Sequence, residues 1–285
     1  HGENLVLRVL DKSKLVLGLE SLGFDETTLA RFRRLIESRN GIITVCGPTG
    51  SGKTTTLYSA LSYINSLERS IVTLEDPVEY ELPVIRQCQI NVKAGLTFAS
   101  GLRSILRHDP DVILVGEMRD SETVELAVRS ALTGHLVFST LHTNDAAGAV
   151  PRLINMGQEP FLVASALRAI VGQALIRVSC TACRETYTPS AETIERAGLP
   201  PESIHGTYLR GAGCAQCGQT GFRGRVGVYE LLEITPSIAR LIMKRANSQD
   251  LLEAAMAEGM TTMRQDGVAK AMRGLTTLEE VVQLT

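Results

Sequence analysis

The chain has 285 residues, 44% of them apolar, and a formal net charge of −2. This length allows one large domain or two to three smaller ones, and the near-neutral charge without a long basic block argues against a dedicated nucleic-acid-binding protein. No apolar run approaches the roughly 18 residues of a membrane span and no signal-peptide pattern opens the chain, so we expect a cytoplasmic protein.

The first twenty residues are too few to form a domain. Residues 4–10 have a strand-like pattern, a polar break follows at residues 11–14, and no methionine precedes His1. We interpret residues 1–20 as the remnant of an upstream domain with a linker, and His1 as a point of truncation. Residues 24–38 then carry apolar side chains at helical spacing and predict a helix.

A glycine-rich turn follows the strand predicted at residues 42–46 and precedes a helix-patterned segment. In this order, backbone N–H groups converge on one spot and can bind a polyphosphate. Lys53 would contact the β- and γ-phosphates, and Thr54 would be a ligand of Mg²⁺. An ordinary Gly-rich turn is the alternative, but all eight positions of the phosphate-binding pattern match. The predicted nucleotide-binding residues are Gly47, Pro48, Thr49, Gly50, Ser51, Gly52, Lys53, Thr54 and Thr55.

From residue 70 onward, β-rich runs alternate with amphipathic segments. The predicted strands are 71–74, 112–115 and 136–140, and the predicted helices are 97–108 and 121–132. Strands alternating with helices of this length indicate an α/β fold with a parallel sheet covered on both faces. In such sheets functional groups belong at the carboxyl ends of the strands.

An acidic turn follows the first of these strands. Glu75, Asp76 and Glu79 surround Pro77 there, and a charged surface turn is the simplest interpretation. Beside a phosphate-binding loop, these acids could instead hold Mg²⁺ through water or orient the attacking water.

Two further polar groups follow the next strands. Glu117 comes one residue after Gly116, which replaces the usual terminal aspartate, and Glu117 is predicted to polarise water for in-line attack on the γ-phosphate. His142 follows the third strand, where an imidazole could contact the γ-phosphate. A solvent-exposed glutamate and a structural histidine are the alternatives.

Arg103 and Arg107 lie four residues apart in the helix predicted at residues 97–108. They could form a solvated basic flank, since such pairs are common on helices. They could also contact phosphate charge or a neighbouring subunit, as arginine fingers do.

Four of the six cysteines form two Cys-x-x-Cys pairs. Four thiolates at this spacing predict a structural Zn²⁺ site without an open position for catalysis; a redox dithiol is the alternative. The predicted ligands are Cys180, Cys183, Cys214 and Cys217.

The remaining segments show patterns of secondary structure but no motif that indicates chemistry. Residues 144–178 are predicted to be helical until a short run at 174–178, and residues 227–285 to be a small helical bundle, with Ser248 as a helix cap. The predicted domains are therefore the α/β core with the phosphate-binding loop at 21–178, the cysteine subdomain at 179–226 and the helical subdomain at 227–285.

The combined motifs resemble those of the secretion ATPase superfamily, in particular the assembly ATPases of type II secretion and type IV pilus systems. The phosphate-binding loop, the acidic box at residues 74–79, the Gly116–Glu117 segment and the histidine box at residues 139–144 carry this resemblance, which covers nearly the whole chain. The tetracysteine insert looks like that of assembly ATPases and is normally missing from pilus retraction ATPases.

The resemblance implies a RecA-like core that hydrolyses ATP with Mg²⁺. It also implies a homo-hexamer at the cytoplasmic face of the inner membrane, peripheral to that membrane through its partners, which drives a platform protein that adds pilin-like subunits. Arg103 and Arg107 match family arginines that complete the site from the same or an adjacent subunit. The family's N-terminal docking domain is absent from the sequence.

Two other interpretations stay open. A DNA-directed conjugation-type motor would bind DNA with strong salt dependence, although the charge and the lack of aromatic residues around the cysteines oppose direct nucleic-acid contact. A zinc-stabilised scaffold would use its nucleotide for regulation only. The sequence does not distinguish type II secretion from pilus assembly.

Overall fold

The computed structural model describes residues 2, 3, 5 and 18–284. Most of the strand expected at residues 4–10, and the polar break at 11–14, lie outside the described residues. Among residues 18–284, no helix has both the length and the apolar character needed to cross a membrane.

The first half of the described chain alternates strands and helices, as its pattern predicts. Its elements are α1 (Glu26–Ile36), β1 (Gly41–Cys46), α2 (Lys53–Ile64), β2 (Ile71–Glu75), β3 (Arg86–Gln89), α3 (Phe98–Ile105), β4 (Val112–Val115), α4 (Ser121–Leu132) and β5 (Leu136–Leu141). The helix expected at residues 97–108 is shorter, because the chain tightens into a 3₁₀ turn at Leu106–His108.

The second half adds two long strands. It comprises α5 (Ala146–Asn155), α6 (Pro160–Ala166), β6 (Leu167–Ser179), β7 (Arg184–Tyr187), α7 (Ala191–Arg196), β8 (Tyr208–Gly211), β9 (Phe222–Glu233), α8 (Pro236–Met243), α9 (Ser248–Ala257), α10 (Met263–Met272) and α11 (Leu278–Leu284).

Among the described residues, seven strands form one sheet in the order β3-β2-β4-β5-β1-β6-β9. All neighbours are parallel except β6 and β9, which pair antiparallel. The predicted mixed α/β fold with a mostly parallel sheet is confirmed. Because β1, β4 and β5 are adjacent and parallel, their carboxyl ends, and the polar residues that follow them, meet at one edge of the sheet.

Both faces of the sheet are covered by apolar side chains. One layer packs Phe32 of α1 and Leu61 of α2 against Ile43 and Phe138 of the sheet. The opposite layer packs α3 to α6, α8 and α9 against the other face, with Ile113 and Val137 buried there. Strands buried on both sides carry nearly continuous apolar runs, which is why β1 and β4 are uniformly buried.

The helical prediction for residues 144–178 is wrong at its end. Helix α6 stops at Ala166, and the chain continues as a thirteen-residue strand to Ser179. The segment has a nearly continuous apolar run, which periodicity cannot assign to a strand or a helix. Its partner β9 also replaces the helix expected from residue 227, and the domain boundary predicted between residues 226 and 227 falls inside β9.

The cysteine subdomain and the last helices share one apolar core. Ile194 of α7 and Tyr208 of β8 pack with Val268 and Ala271 of α10 and with Val281 of α11. The predicted cysteine subdomain and the predicted helical subdomain therefore bury apolar side chains against each other. The cap of α9 also differs from the prediction: Asn247, and not Ser248, accepts the backbone N–H of Asp250, at 3.0 Å.

Candidate active site and metal centre

The glycine-rich turn links the end of β1 to the start of α2. Gly47, Gly50 and Gly52 have φ angles of 142°, 80° and 88°, in the region that favours glycine. A Cβ on Gly47 would lie 2.1 Å from the carbonyl oxygen of Gln173, so a side chain has no room there. The turn therefore presents bare backbone and the amino end of α2 to the cleft, an arrangement suited to a polyphosphate.

Lys53 is the first residue of α2 and lies in this turn. Its Nζ donates to the carbonyl oxygens of Gly47 and Pro48, both at 2.9 Å. Partial burial lowers the pKa of Lys53, although the nearby Glu117 opposes the shift. The ammonium group is therefore held at the cleft by two exchangeable backbone contacts, from which it can turn to a phosphate.

The acidic turn after β2 contains two different kinds of carboxylate. Glu79 is exposed, and its Oε1 accepts from Thr54 Oγ1 at 3.2 Å. Glu75 is buried and accepts hydrogen bonds from Tyr58 and Thr73, and burial together with this carboxylate raises the pKa of the Tyr58 hydroxyl. Glu79 and Thr54 therefore offer adjacent oxygen ligands suited to Mg²⁺. Glu75, in contrast, is held by hydrogen bonds from the side chains of Tyr58 and Thr73.

Glu117 and His142 come together across neighbouring strand ends. Glu117 follows β4 and His142 follows β5, and His142 Nε2 lies 3.2 Å from Glu117 Oε2. The side chain of Glu117 is 13% exposed and also contacts Arg119 Nε at 2.6 Å. One carboxylate oxygen thus faces two positive or polar partners, which hold it at the cleft.

A cavity of about 500 Å³ unites these groups. It is lined by most of the phosphate-binding loop and by all three sets of strand-end residues. Thr49, Gly50, Gly52, Lys53, Thr54, Thr55, Glu79, Glu117 and His142 are among its lining residues; the loop's Gly47, Pro48 and Ser51 are not.

Neither Arg103 nor Arg107 is among the described residues that line this cavity. Arg103, near the end of α3, pairs with Glu122 and is 54% exposed. Arg107 lies in the following 3₁₀ turn and is also exposed. Arg119 and Arg225 line the cavity instead. Neither of these two arginines is a predicted site residue, although Arg119 lies two residues after Glu117.

Gln173 is a further residue that sequence analysis missed. This β6 side chain is 1% exposed and bridges the phosphate-binding loop: its Nε2 donates to Ser51 O at 2.7 Å, and its Oε1 accepts from Thr56 Oγ1 at 2.7 Å. The sequence offers one signal for this residue, a single polar side chain inside an apolar run, because a buried amide side chain needs hydrogen-bond partners.

The four predicted metal ligands converge at the end of the β6–β9 pair. Their sulfur atoms all lie within 4.8 Å of one another. Neighbouring Sγ atoms are 3.7 to 4.0 Å apart, and a tetrahedron with Zn–S bonds of about 2.3 Å requires about 3.8 Å. Against the effect of burial, hydrogen bonds from the backbone N–H groups of Cys214 and Gly221 lower the pKa of Cys217, whereas burial raises the pKa of the neighbouring Cys183. The cluster therefore fits a zinc ion.

Comparison with known proteins decides the family. Residues 1–283 match the family described as "Type II/IV secretion system protein". The chain belongs to this family. The predicted resemblance to secretion and pilus-assembly ATPases is thereby confirmed.

Two relatives of this secretion family illustrate the match. The type II secretion system protein E of Pectobacterium carotovorum subsp. carotovorum is 49% identical, over 100% of this chain and 56% of that protein. The type IV pilus assembly ATPase PilB of Myxococcus xanthus is also 49% identical, over 99% of this chain and 50% of that protein. The chain thus spans about half the length of these relatives.

A solved structure supports the fold. The pilus retraction motor PilT, crystallised with ADP, superposes with a TM-score of 0.69 at 33% identity, over 94% of this chain and 66% of that one. The secretion-family fold therefore extends over nearly all of the present chain.

Proposed function

We propose that this chain is the ATP-hydrolysing part of a motor that powers assembly of a type II secretion pseudopilus or a type IV pilus. The observation that carries the proposal is the shared cavity, in which the glycine-rich turn, Lys53, Glu117 and His142 face one another. Its volume is within the range of ordinary ligand sites. Assembly is favoured over retraction because the tetracysteine cluster is typical of the assembly ATPases.

Each residue then has a defined task in hydrolysis. The backbone of the loop and Lys53 hold the β- and γ-phosphates. Glu117 polarises a water molecule and takes its proton as the water oxygen bonds to the γ-phosphorus, while the bond from that phosphorus to the bridging oxygen breaks and ADP leaves. His142, hydrogen-bonded to Glu117 in this structure, contacts the γ-phosphate and registers its presence.

Two metal ions belong to the proposal. Thr54 and Glu79 would hold Mg²⁺, directly or through water, and the ion would neutralise charge on the phosphates. The four cysteines would hold Zn²⁺, whose task is to stabilise the subdomain, because sulfur fills all four positions.

The assembled state is a homo-hexamer peripheral to the inner membrane, on its cytoplasmic face. There the hexamer would displace the membrane platform protein, which adds pilin-like subunits. Exposure of Arg103 and Arg107 outside the cavity supports a role across a subunit boundary, where an arginine completes the site of a neighbour.

The test is phosphate release from ATP and Mg²⁺ by the full-length protein, alone and with its membrane partner. We expect Lys53→Ala to abolish release and to weaken nucleotide binding at least about tenfold, because a phosphate contact is lost. Lys93→Ala removes an exposed lysine outside the cavity and is the matched control. Unchanged release by Lys53→Ala would contradict the proposal. Deleting the full-length gene and scoring secreted enzymes against surface pili would distinguish the two systems.

A further inference from the structure

Glu230 is a buried carboxylate outside the cavity described above. It lies on β9 and is 4% exposed. Its Oε1 accepts from the backbone N–H of Ala146 at 2.6 Å, and its Oε2 accepts from the backbone N–H of Met263 at 3.3 Å. One side chain therefore joins the first residue of α5 to the first residue of α10.

The fold makes room for this carboxylate at one position of the sheet. Gly172 of β6 is the register partner of Glu230, and a Cβ on Gly172 would lie 2.6 Å from Glu230 Cγ and Oε1. Gly172 also pairs with Cys46, the last residue of β1. The Glu230 side chain thus crosses β6 beside the strand that leads into the phosphate-binding loop.

At one end of this bridge is the loop that carries His142. Helix α5 begins four residues after His142, and Asp145 caps the helix by accepting from Gly148 N at 2.6 Å. The carbonyl oxygen of Asp145 accepts from Thr143 Oγ1 at 3.0 Å and from Cys46 Sγ at 3.2 Å. The start of α5 is therefore tied to both the histidine loop and the end of β1.

At the other end is α10, which packs in the core shared with the cysteine subdomain. Tyr229, next to Glu230, donates its backbone N–H to Asp266 Oδ2 at 2.8 Å, and Asp266 pairs with Lys270 at 2.5 Å. Two successive residues of β9 therefore hydrogen-bond to the first turn of α10.

We propose that Glu230 is a positioning residue that couples the His142 loop to α10, so that γ-phosphate contact at the loop shifts the C-terminal helices. The inference rests on the proposed function, because it takes His142 as the group that contacts the γ-phosphate. A buried carboxylate that accepts from two amides resists separation from either one, since an unpaired buried donor is costly. A displacement of α5 is thus passed to α10 through a single side chain.

The test uses the full-length protein and compares Glu230→Gln with Glu233→Gln. Glutamine keeps one acceptor oxygen, but its NH₂ group faces the second amide, so only one helix start stays bonded. Glu233 lies on the same strand and pairs with Arg31 and Arg34, outside the cavity, which makes it the matched control. The readouts are kcat, KM, affinity for a non-hydrolysable ATP analogue, and amide hydrogen exchange at residues 145–149 and 262–267 with and without that analogue.

We expect the analogue to slow exchange in both segments of the wild-type protein and of Glu233→Gln. In Glu230→Gln, the slowing at residues 262–267 should disappear and kcat should fall about tenfold, while the affinity for the analogue changes less than about threefold. Glu230→Ala, which removes both acceptors, should uncouple the two segments from each other.

Two results would overturn the coupling role. One is retention of the analogue-dependent slowing at residues 262–267 in Glu230→Gln. The other is a reduced stability to denaturant with kcat and the exchange difference unchanged, which would make Glu230 structural only. Failure of wild-type protein to release phosphate would instead contradict the proposed function, and this is measured before any variant is compared.

Discussion

Glu117 Oε2 lies 3.2 Å from His142 Nε2, although the two residues are 25 positions apart in the chain. The contact exists because β4 and β5 are adjacent and parallel and end at the same edge of the sheet. The proposed base and the proposed γ-phosphate contact thereby lie just beyond two neighbouring strand ends, where a parallel sheet gathers its functional groups.

This contact leads to the first prediction, for Glu117→Gln. The amide cannot take a proton from water, so we expect phosphate release to fall at least about a hundredfold while the affinity for ATP stays within about threefold of wild type. Release is measured in the steady state, and affinity with a fluorescent nucleotide. Glu125→Gln, on the exposed side of α4, is the control, and full turnover by Glu117→Gln would refute the role of this carboxylate as the base.

The second prediction concerns Gln173→Leu. Leucine has a similar volume but leaves Ser51 O and Thr56 Oγ1 without their partner, and each unsatisfied buried group costs about 1–3 kcal/mol. We expect lower stability in urea unfolding together with weaker nucleotide binding, because the loop loses its brace. Gln173→Glu keeps an acceptor for Thr56 but no donor for Ser51. If Gln173→Leu bound ATP as wild type does, the brace would have no part in shaping the loop.

The third prediction concerns metal loss at the cysteine cluster. We expect Cys183→Ser to lose the proposed zinc and to have a lower thermal midpoint, since such an ion would tie together two parts of the chain. Nucleotide binding should persist, because none of the four cysteines is among the residues that line the cavity. Metal content by mass spectrometry, with Cys88→Ser as the control, measures the effect. Equal zinc in both variants would contradict the assignment.

The fourth prediction contrasts a buried ion pair with an exposed one. Lys270 and Asp266 have side chains only 6% and 7% exposed, so Lys270→Met leaves a buried charge and should cost about 3–5 kcal/mol. Arg103 and Glu122 are 54% and 55% exposed, so Arg103→Ala should cost at most about 1 kcal/mol. Denaturant unfolding compares the two variants.

The Arg103 result also separates two roles of that residue. If Arg103→Ala retained stability but lost activity only in the assembled oligomer, the arginine would act on a neighbouring site. Activity equal to wild type in the oligomer would leave Arg103 as a solvated surface charge, which is the simpler interpretation of its helical spacing.

Sequence patterns were most informative where one physical cause dominates. The glycine-rich turn needs glycines at fixed positions, and the cysteine cluster needs fixed spacing, so the sequence pattern indicates both features. Helix α4 was likewise predicted with its observed ends, because Asp120 caps it and its apolar residues recur at helical spacing.

The errors arose where distant partners decide the outcome. The apolar residues of β6 suit a helix or a strand equally, and only pairing with β1 and β9 selects the strand. Gln173 and Glu230 were missed for the same reason: their partners are 84 or more positions away in three of their four bonds, and 33 in the other. Local spacing contains no signal for such contacts.

The antiparallel pairing of β6 with β9 has a mechanical consequence. From Gln173, which holds the phosphate-binding loop, to Cys180 just beyond the end of β6, seven residues at strand rise cover roughly 23 Å. At that length, a tilt of the two-stranded ribbon by about 5° at Gln173 would displace the sulfur cluster by roughly 2 Å.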